Sequence, residues 1–321
     1  MKKIVVTSVS FCRSATLCRQ LEESLPPGYE LDFARAQQPL TGDALVAATD
    51  GAEIVLAGTE KFSRTVLEHL PHLRCIAKYG VGLDGIDLGF CRERGILVYR
   101  EEGTNAMPVA ELTIGLCISL MRNIHLTATR LKGGEWFKNG GQGLQGKTVA
   151  VVGCGHVGSR VARLFRALGA GLLLVDILDK GALCSELGGE AVPFHEAVVR
   201  ADVLTLHVPL TPRTRTMVDG ACLRSMKSTA ILINTARGEV ICQDSLKQAL
   251  QDGGIAGAAL DVFDGEPSPD TELVRLPNFI GTPHIAGNSE QAVRAMGQAA
   301  IRGVLEYART GTVPDVASVD P

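Results

Sequence analysis

Arg237, Glu266 and His284 each come shortly after a short apolar run: Ile231 to Ala236, Ala258 to Phe263 and Asn278 to Thr282. If these runs are parallel strands, their carboxyl ends share one rim, which is where open α/β sheets bind ligands. A guanidinium, a carboxylate and an imidazole gathered there suit the reduction of a carbonyl that sits beside a carboxylate. The planar fork of Arg237 matches a carboxylate in a way lysine does not. The imidazole moves a proton, and the acid fixes its tautomer and favours its charged form, so the two titrate as a pair.

The same segment carries a nucleotide-binding pattern. Thr148 to Val152 reads as a buried strand, followed by Gly153-Cys154-Gly155-His156-Val157-Gly158 and a helix over Ser159 to Leu168. The glycines permit a tight turn and close approach of backbone to a pyrophosphate, whose charge the helix N-terminus stabilises. The next strand, Leu172 to Val175, ends at Asp176. A carboxylate there accepts from both ribose hydroxyls and repels a 2′-phosphate, so NAD is expected rather than NADP. Ile177 and Leu178 follow where an arginine for that phosphate would stand. Arg160, Arg163 and Arg166 recur at a spacing that reads as a solvated helix face.

These residues need a scaffold, and the rest of the chain supplies one. Short apolar runs alternate with helical patterns from Ile4 to Tyr99, including a strand over Leu73 to Tyr79, and alternate again from Lys147 to about Thr282. Such alternation indicates βα units on parallel sheets. The fold class expected is α/β, with two doubly wound parallel-sheet domains, the second a Rossmann dinucleotide-binding domain. Between the arrays, Asn105 to about Lys132 reads as one long helix with Pro108 in its first turn, ended by Gly133-Gly134. A last amphipathic helix, Ser289 to Thr310, has no strand after it. It either returns to the first domain or caps the second. The first option gives a discontinuous domain of residues 1–101 plus 288–321 and a second of residues 102–287.

Composition excludes several classes. A chain of 321 residues is long for one ordinary domain and comfortable for two. Acids exceed bases by only three (35 against 32), so attraction to nucleic acid or anionic lipid is not expected. The longest apolar stretch, Leu112 to Met121, is far short of a membrane span, and no signal-peptide pattern opens the chain. Nine cysteines without paired spacing fit a reducing, cytoplasmic compartment better than a disulfide framework or a zinc site, and no metal is expected.

Several ordered motifs together carry a resemblance that spans essentially the whole chain. They are Gly153 to Gly158, Asp176, His207-Val208-Pro209-Leu210-Thr211, Asn234-Thr235-Ala236-Arg237-Gly238, Ala259 to Phe263 with Glu266-Pro267, and Thr282-Pro283-His284-Ile285-Ala286-Gly287. Tyr79-Gly80-Val81-Gly82-Leu83-Asp84 and Ala110-Glu111-Leu112 add to them. The chain resembles the D-isomer-specific 2-hydroxyacid dehydrogenases. The resemblance implies an NAD-dependent enzyme that interconverts a 2-oxo acid and its D-2-hydroxy acid in a cleft between two domains, as a homodimer. It implies Arg237 on the substrate carboxylate and His284 with Glu266 as the acid-base pair. Thr235, Ala236 and Asp261 then contact the cofactor, with His156 and Val157 at the pyrophosphate, Gly287 near the nicotinamide, and His207 either at the cofactor or closing its strand. Gly80, Val81 and Gly82 offer backbone N–H groups to the substrate, and Asn105 either faces it or caps a helix.

Departures limit the substrate assignment. Gly85 stands where many relatives have Asn, so the turn over residues 83–87 is expected to differ in shape. Lys78 and Arg100 are candidates for recognising a phosphate, as in 3-phosphoglycerate; glyoxylate and hydroxypyruvate are equally open. Amino-acid feedback through an added regulatory domain is not expected. Competing readings are an NAD(H)-sensing binding protein of the corepressor type and a phosphite-oxidising relative. Glu266, where formate enzymes of this fold usually have Gln, argues against formate.

Overall fold

Runs such as Val149 to Val152 and Ile231 to Ile233 are apolar at every position because their strands are buried on both faces. The computed structural model describes residues 1–267 and 269–314. The chain divides into two compact units: Met1–Asn105 with the segment that begins at Gly287, and Ala106–Ala286.

The first unit holds β1 (Lys2–Val6), β2 (Tyr29–Phe33), β3 (Ala52–Ala57), β4 (Cys75–Lys78) and β5 (Leu97–Tyr99), all parallel in the order β2-β1-β3-β4-β5. One face packs Leu45, Phe62, Leu73 and Phe90. The other packs Phe11 and Leu21 together with Met296, Ala300, Val304 and Tyr307 of the helix Glu290–Thr310. That helix starts at Ser289, whose hydroxyl accepts from the amide of Ala292.

The second unit holds β6 (Thr148–Val152), β7 (Gly171–Val175), β8 (Glu190–Ala191), β9 (Val203–Leu206), β10 (Ile231–Asn234), β11 (Gly257–Leu260) and β12 (Phe279–Gly281). All pairs are parallel, in the order β12-β11-β10-β9-β6-β7-β8. The direction of travel reverses between β6 and β9, which is the topological switch point of a Rossmann sheet. Alternate residues feed two cores: Ala150, Leu204 and Leu232 point to one, Val149, Val203 and Ile233 to the other.

Two expectations need correction. The single long helix over Asn105 to Lys132 is two helices, Ala106–Met121 and Ile124–Lys132, meeting at 66°. Asn123 causes the break: it takes the left-handed conformation (φ 52°), which Asn tolerates better than most residues. The freed carbonyl of Met121 accepts instead from the amide of Gln142. Among the described residues no single helix is long and apolar enough to cross a membrane, and Ala106–Met121 is a core helix with Ala110, Thr113, Leu116 and Cys117 buried. Second, the strands before the three candidate catalytic residues stop early, at Asn234, Leu260 and Gly281. The apolar runs continue past them because Ala236, Val262 and Phe263 are buried in loops rather than in the sheet.

Candidate active site and cofactor site

The turn after β6 is built from backbone because side chains do not fit. Gly153 has φ 88°, and a Cβ there would lie 2.7 Å from the carbonyl oxygen of His207. A Cβ on Gly158 would lie 1.8 Å from the carbonyl oxygen of Gly153, whereas Gly155 opens onto space. The helix His156–Ala167 starts here, so the amides of its first turn, including those of His156 and Val157, lack intrahelical acceptors and favour an anion. Asp176, at the end of β7, accepts from the amide of Cys154 (2.7 Å) and that of Leu178 (2.9 Å), which holds its carboxylate beside the glycine turn. This is the cradle a dinucleotide needs: its amide donors fit a pyrophosphate, and the Asp176 carboxylate fits as an acceptor for ribose hydroxyls. Arg163 pairs with Glu186 on the surface instead, and Arg160 donates to the carbonyl of His156.

His207 follows β9 across the switch point. Its Nε2 lies 2.9 Å from the hydroxyl of Thr205, and its Nδ1 is buried without a hydrogen-bond partner. Burial pushes this imidazole down to about 3, so it stays neutral. A buried ring nitrogen left without a protein partner at this rim is a further point in favour of a ligand there.

The loops that carry Arg237, Glu266 and His284 are held by polar side chains. Asn234, fully buried, donates to the carbonyl of Arg237 (2.8 Å) and accepts from the amide of Ala236 (2.9 Å). That amide fixes the turn from β10 into Arg237. The next residue, Gly238, presses on the following loop: a Cβ there would lie 2.0 Å from the carbonyl carbon of Phe263. Arg237 is thus seated beside the segment that carries Glu266. One Glu266 oxygen accepts from the amide of Phe263 (2.9 Å), and the other lies 2.8 Å from Nδ1 of His284.

Asp261 secures the third loop. Its buried carboxylate accepts from the Thr282 hydroxyl (2.6 Å) and from the amides of Ile285 (2.8 Å) and Ala286 (2.9 Å), while its carbonyl accepts from the His284 amide (2.8 Å). Between these anchors His284 takes φ 55°, an uncommon conformation for a residue with a side chain. Sequence reasoning assigned Asp261 to the cofactor and overlooked this clamp, together with its partner Thr282.

Charge follows geometry. The hydrogen bond to Glu266 raises the titration of His284, against burial, which lowers it; the Glu266 and Asp261 charges add to the rise and Arg237 opposes it. Burial pushes Glu266 upward, but the bond from His284, its charge, the Phe263 amide and Arg237 together outweigh that and hold the carboxyl low. The guanidinium therefore acts on both partners, and all three sequence-selected groups meet in this unit. Both members of the pair are partly open to solvent, with side chains 46 % and 35 % exposed.

In the other unit, Gly80 follows β4 with φ 109°, and Arg100 donates to the carbonyl of Val81 (2.8 Å) while pairing with Glu102. Lys78 is buried and donates to the carbonyl of Gly58. Both cations flagged for phosphate thus have partners within the fold. A Cβ on Gly85 would lie 3.1 Å from the carbonyl oxygen of Glu60, so an Asn here would crowd that loop. Asn105 directly precedes the helix Ala106–Met121, and its side-chain nitrogen lies 3.2 Å from where a Cβ on Gly287 would stand.

Comparison with known proteins agrees with this geometry. Residues 114–286 match the family described as D-isomer specific 2-hydroxyacid dehydrogenase, NAD binding domain. A glyoxylate reductase of Thermococcus litoralis is 33% identical over 302 residues, covering 91% of each chain. A D-3-phosphoglycerate dehydrogenase of Methanocaldococcus jannaschii is 38% identical over 263 residues, 80% of this chain but only 50% of that protein. The chain thus spans half the length of that relative. Among solved structures, the TT0316 protein of Thermus thermophilus superposes with a TM-score of 0.87 at 31% identity, covering 97% of this chain and 98% of that one. The D-lactate dehydrogenase of Aquifex aeolicus, complexed with NAD and lactic acid, gives 0.84 at 25%, covering 97% and 96%. With the Rossmann sheet, its glycine turn and the Arg, Glu and His set in place, the chain belongs to the D-isomer-specific 2-hydroxyacid dehydrogenase family and is an NAD(H)-using oxidoreductase.

Proposed function

We propose that this enzyme interconverts a small 2-oxo acid and its D-2-hydroxy acid, with Arg237 holding the substrate carboxylate and His284 moving the proton. The observation that carries the reading is the 2.8 Å contact of Glu266 with Nδ1 of His284, beside the guanidinium of Arg237. Bound NAD(H) supplies or takes the hydride. Glu266 on Nδ1 assigns proton transfer to Nε2, which gives its proton to the carbonyl oxygen in reduction and takes one back in oxidation. Arg237 anchors the carboxylate and polarises the adjacent carbonyl.

The cofactor is held, in this reading, by Gly153, Gly155, His156, Val157, Gly158 and Asp176, with His207, Thr235, Ala236, Asp261 and Gly287 completing its surroundings. In the other unit the turn Gly80 to Gly82 offers amide groups to an anionic oxygen, and we assign it, with Asn105, to substrate binding. Glyoxylate, hydroxypyruvate and 3-phosphoglycerate are the substrates to try first. The similarity to a glyoxylate reductase along nine-tenths of both chains favours the smaller acids. The nine cysteines, none of them in a disulfide, suit a cytoplasmic setting.

A homodimer belongs to the same proposal. The helix Ile124–Lys132 has no buried residue, and Ile124, Leu131 and Trp136 are 50%, 55% and 81% exposed. A helix with no face in the core needs a covering surface, since most helical stability comes from packing. Sedimentation equilibrium should give twice the chain mass, and Trp136→Asp should shift it toward one.

The deciding experiment follows NADH absorbance with a panel of 2-oxo acids, for the wild type and Arg237→Ala. Turnover with at least one acid, lost in the variant while NADH binding is kept, is the expected result. Tight NADH binding with no turnover on any acid would overturn the reading in favour of a dinucleotide sensor.

A further inference from the structure

Thr235 stands between β10 and Arg237, 8% exposed, and its hydroxyl oxygen lies 3.0 Å from that of Thr113. Thr113 belongs to the helix Ala106–Met121, is fully buried, and its hydroxyl also lies 2.8 Å from the carbonyl oxygen of Val109 one turn back. A hydroxyl has one proton to give. The Val109 carbonyl only accepts, so the Thr113 proton goes there. The contact between the two threonines is then a hydrogen bond only if Thr235 donates.

This fixes the polarity of Thr235. Its single proton points inward to Thr113, and whatever reaches its remaining lone pair must bring a hydrogen of its own. We infer that Thr113 is a positioning residue which makes the Thr235 hydroxyl an obligate acceptor, selecting an N–H donor on the nicotinamide end of the cofactor, the carboxamide. Thr235 is two residues from Arg237, and the hydride-bearing ring must lie within reach of Arg237 and His284. Of the groups on that ring, the carboxamide is the one that carries N–H donors. A Thr235 free to rotate would accept a donor or donate to an acceptor; one locked by Thr113 discriminates between them.

The inference rests on the proposed placement of Thr235 at the cofactor, and three variants separate the parts. Dissociation constants are measured by fluorescence for NADH and for the reduced 3-acetylpyridine analogue, whose acetyl group keeps the carbonyl but has no N–H. The wild type should prefer NADH, and Thr113→Val should narrow that preference by about 3- to 10-fold, the range for one net hydrogen bond. Thr113→Ser keeps the hydroxyl and should restore it. If Thr113→Val folds to the wild-type melting temperature and leaves the ratio unchanged while Thr235→Val abolishes it, the positioning role is refuted and the cofactor contact stands. If Thr235→Val leaves both constants unchanged, Thr235 is not at the cofactor, and both readings of it fall. If Thr113→Ser behaves as Thr113→Val does, the effect is one of packing and the inference is also refuted.

Discussion

The two halves of the Rossmann rim are built by opposite means. On the β6 side the turn is made by leaving side chains out: at Gly153 and Gly158 even a methyl group would collide with backbone. On the β10 to β12 side the loops are made by putting polar side chains in, with Asn234, Asp261 and Glu266 each holding backbone amides. On the proposed function, the first construction offers main-chain donors to a charge that does not change during the reaction. The second would hold a group that gains and loses a proton, and such a group needs a charged neighbour to set its affinity.

The comparison breaks most readily at His284. His284→Asn should cut turnover by about 10²- to 10⁴-fold, the range for a lost general acid-base group, while NADH affinity measured by fluorescence stays near wild type. Equal loss of both would mean that the His284 side chain itself holds the cofactor or that the variant is misfolded, and the assignment of proton transfer to it would fall. Next in size is Gly158→Ala. A methyl group 1.8 Å from a carbonyl oxygen forces the turn apart, at about 1–3 kcal/mol, so the loss should appear in NADH affinity and melting temperature rather than in the pH profile.

Glu266→Gln sharpens the contrast through pH. His284 titrates above its ordinary value of 6.5 mainly because of the Glu266 hydrogen bond. Reduction needs the protonated ring, so its rate should fall as pH climbs past the raised value; oxidation should rise over the same window. In the Gln variant, burial and Arg237 remain and both lower the ring's affinity, so both limbs should move to lower pH. Unmoved limbs in rate profiles of both directions would sink the pairing. The smallest effect is expected for Asp176→Ala: weaker NAD binding by about 3- to 30-fold and a narrower preference over NADP, read from the ratio of the two dissociation constants.

The same contrast explains which parts of the molecule were legible in the sequence. The glycine turn obeys a local rule, so its spacing between a strand and a helix located it, as the end of the next strand located the acid at 176. The three candidate catalytic residues were visible as types in order, but the strands before them were drawn too long. Apolar residues such as Ala236 and Phe263 read the same whether they fill a sheet or a loop folded back on it. The break at Asn123 was missed because the apolar spacing continues through it, although an Asn in mid-helix was a signal. The side-chain role of Asp261 has no local signature at all, since its partners lie 21 to 25 residues away.

The backbone of His284 bears on how such an enzyme changes over generations. At φ 55° the chain there accepts Asn or Gly with little penalty and resists any β-branched replacement. On the proposed function, a copy that drifts to Asn at this position gives up the proton-transfer group while the backbone keeps its conformation. A dinucleotide-binding protein without turnover is then expected one permissive codon change away, with no refolding of the scaffold required.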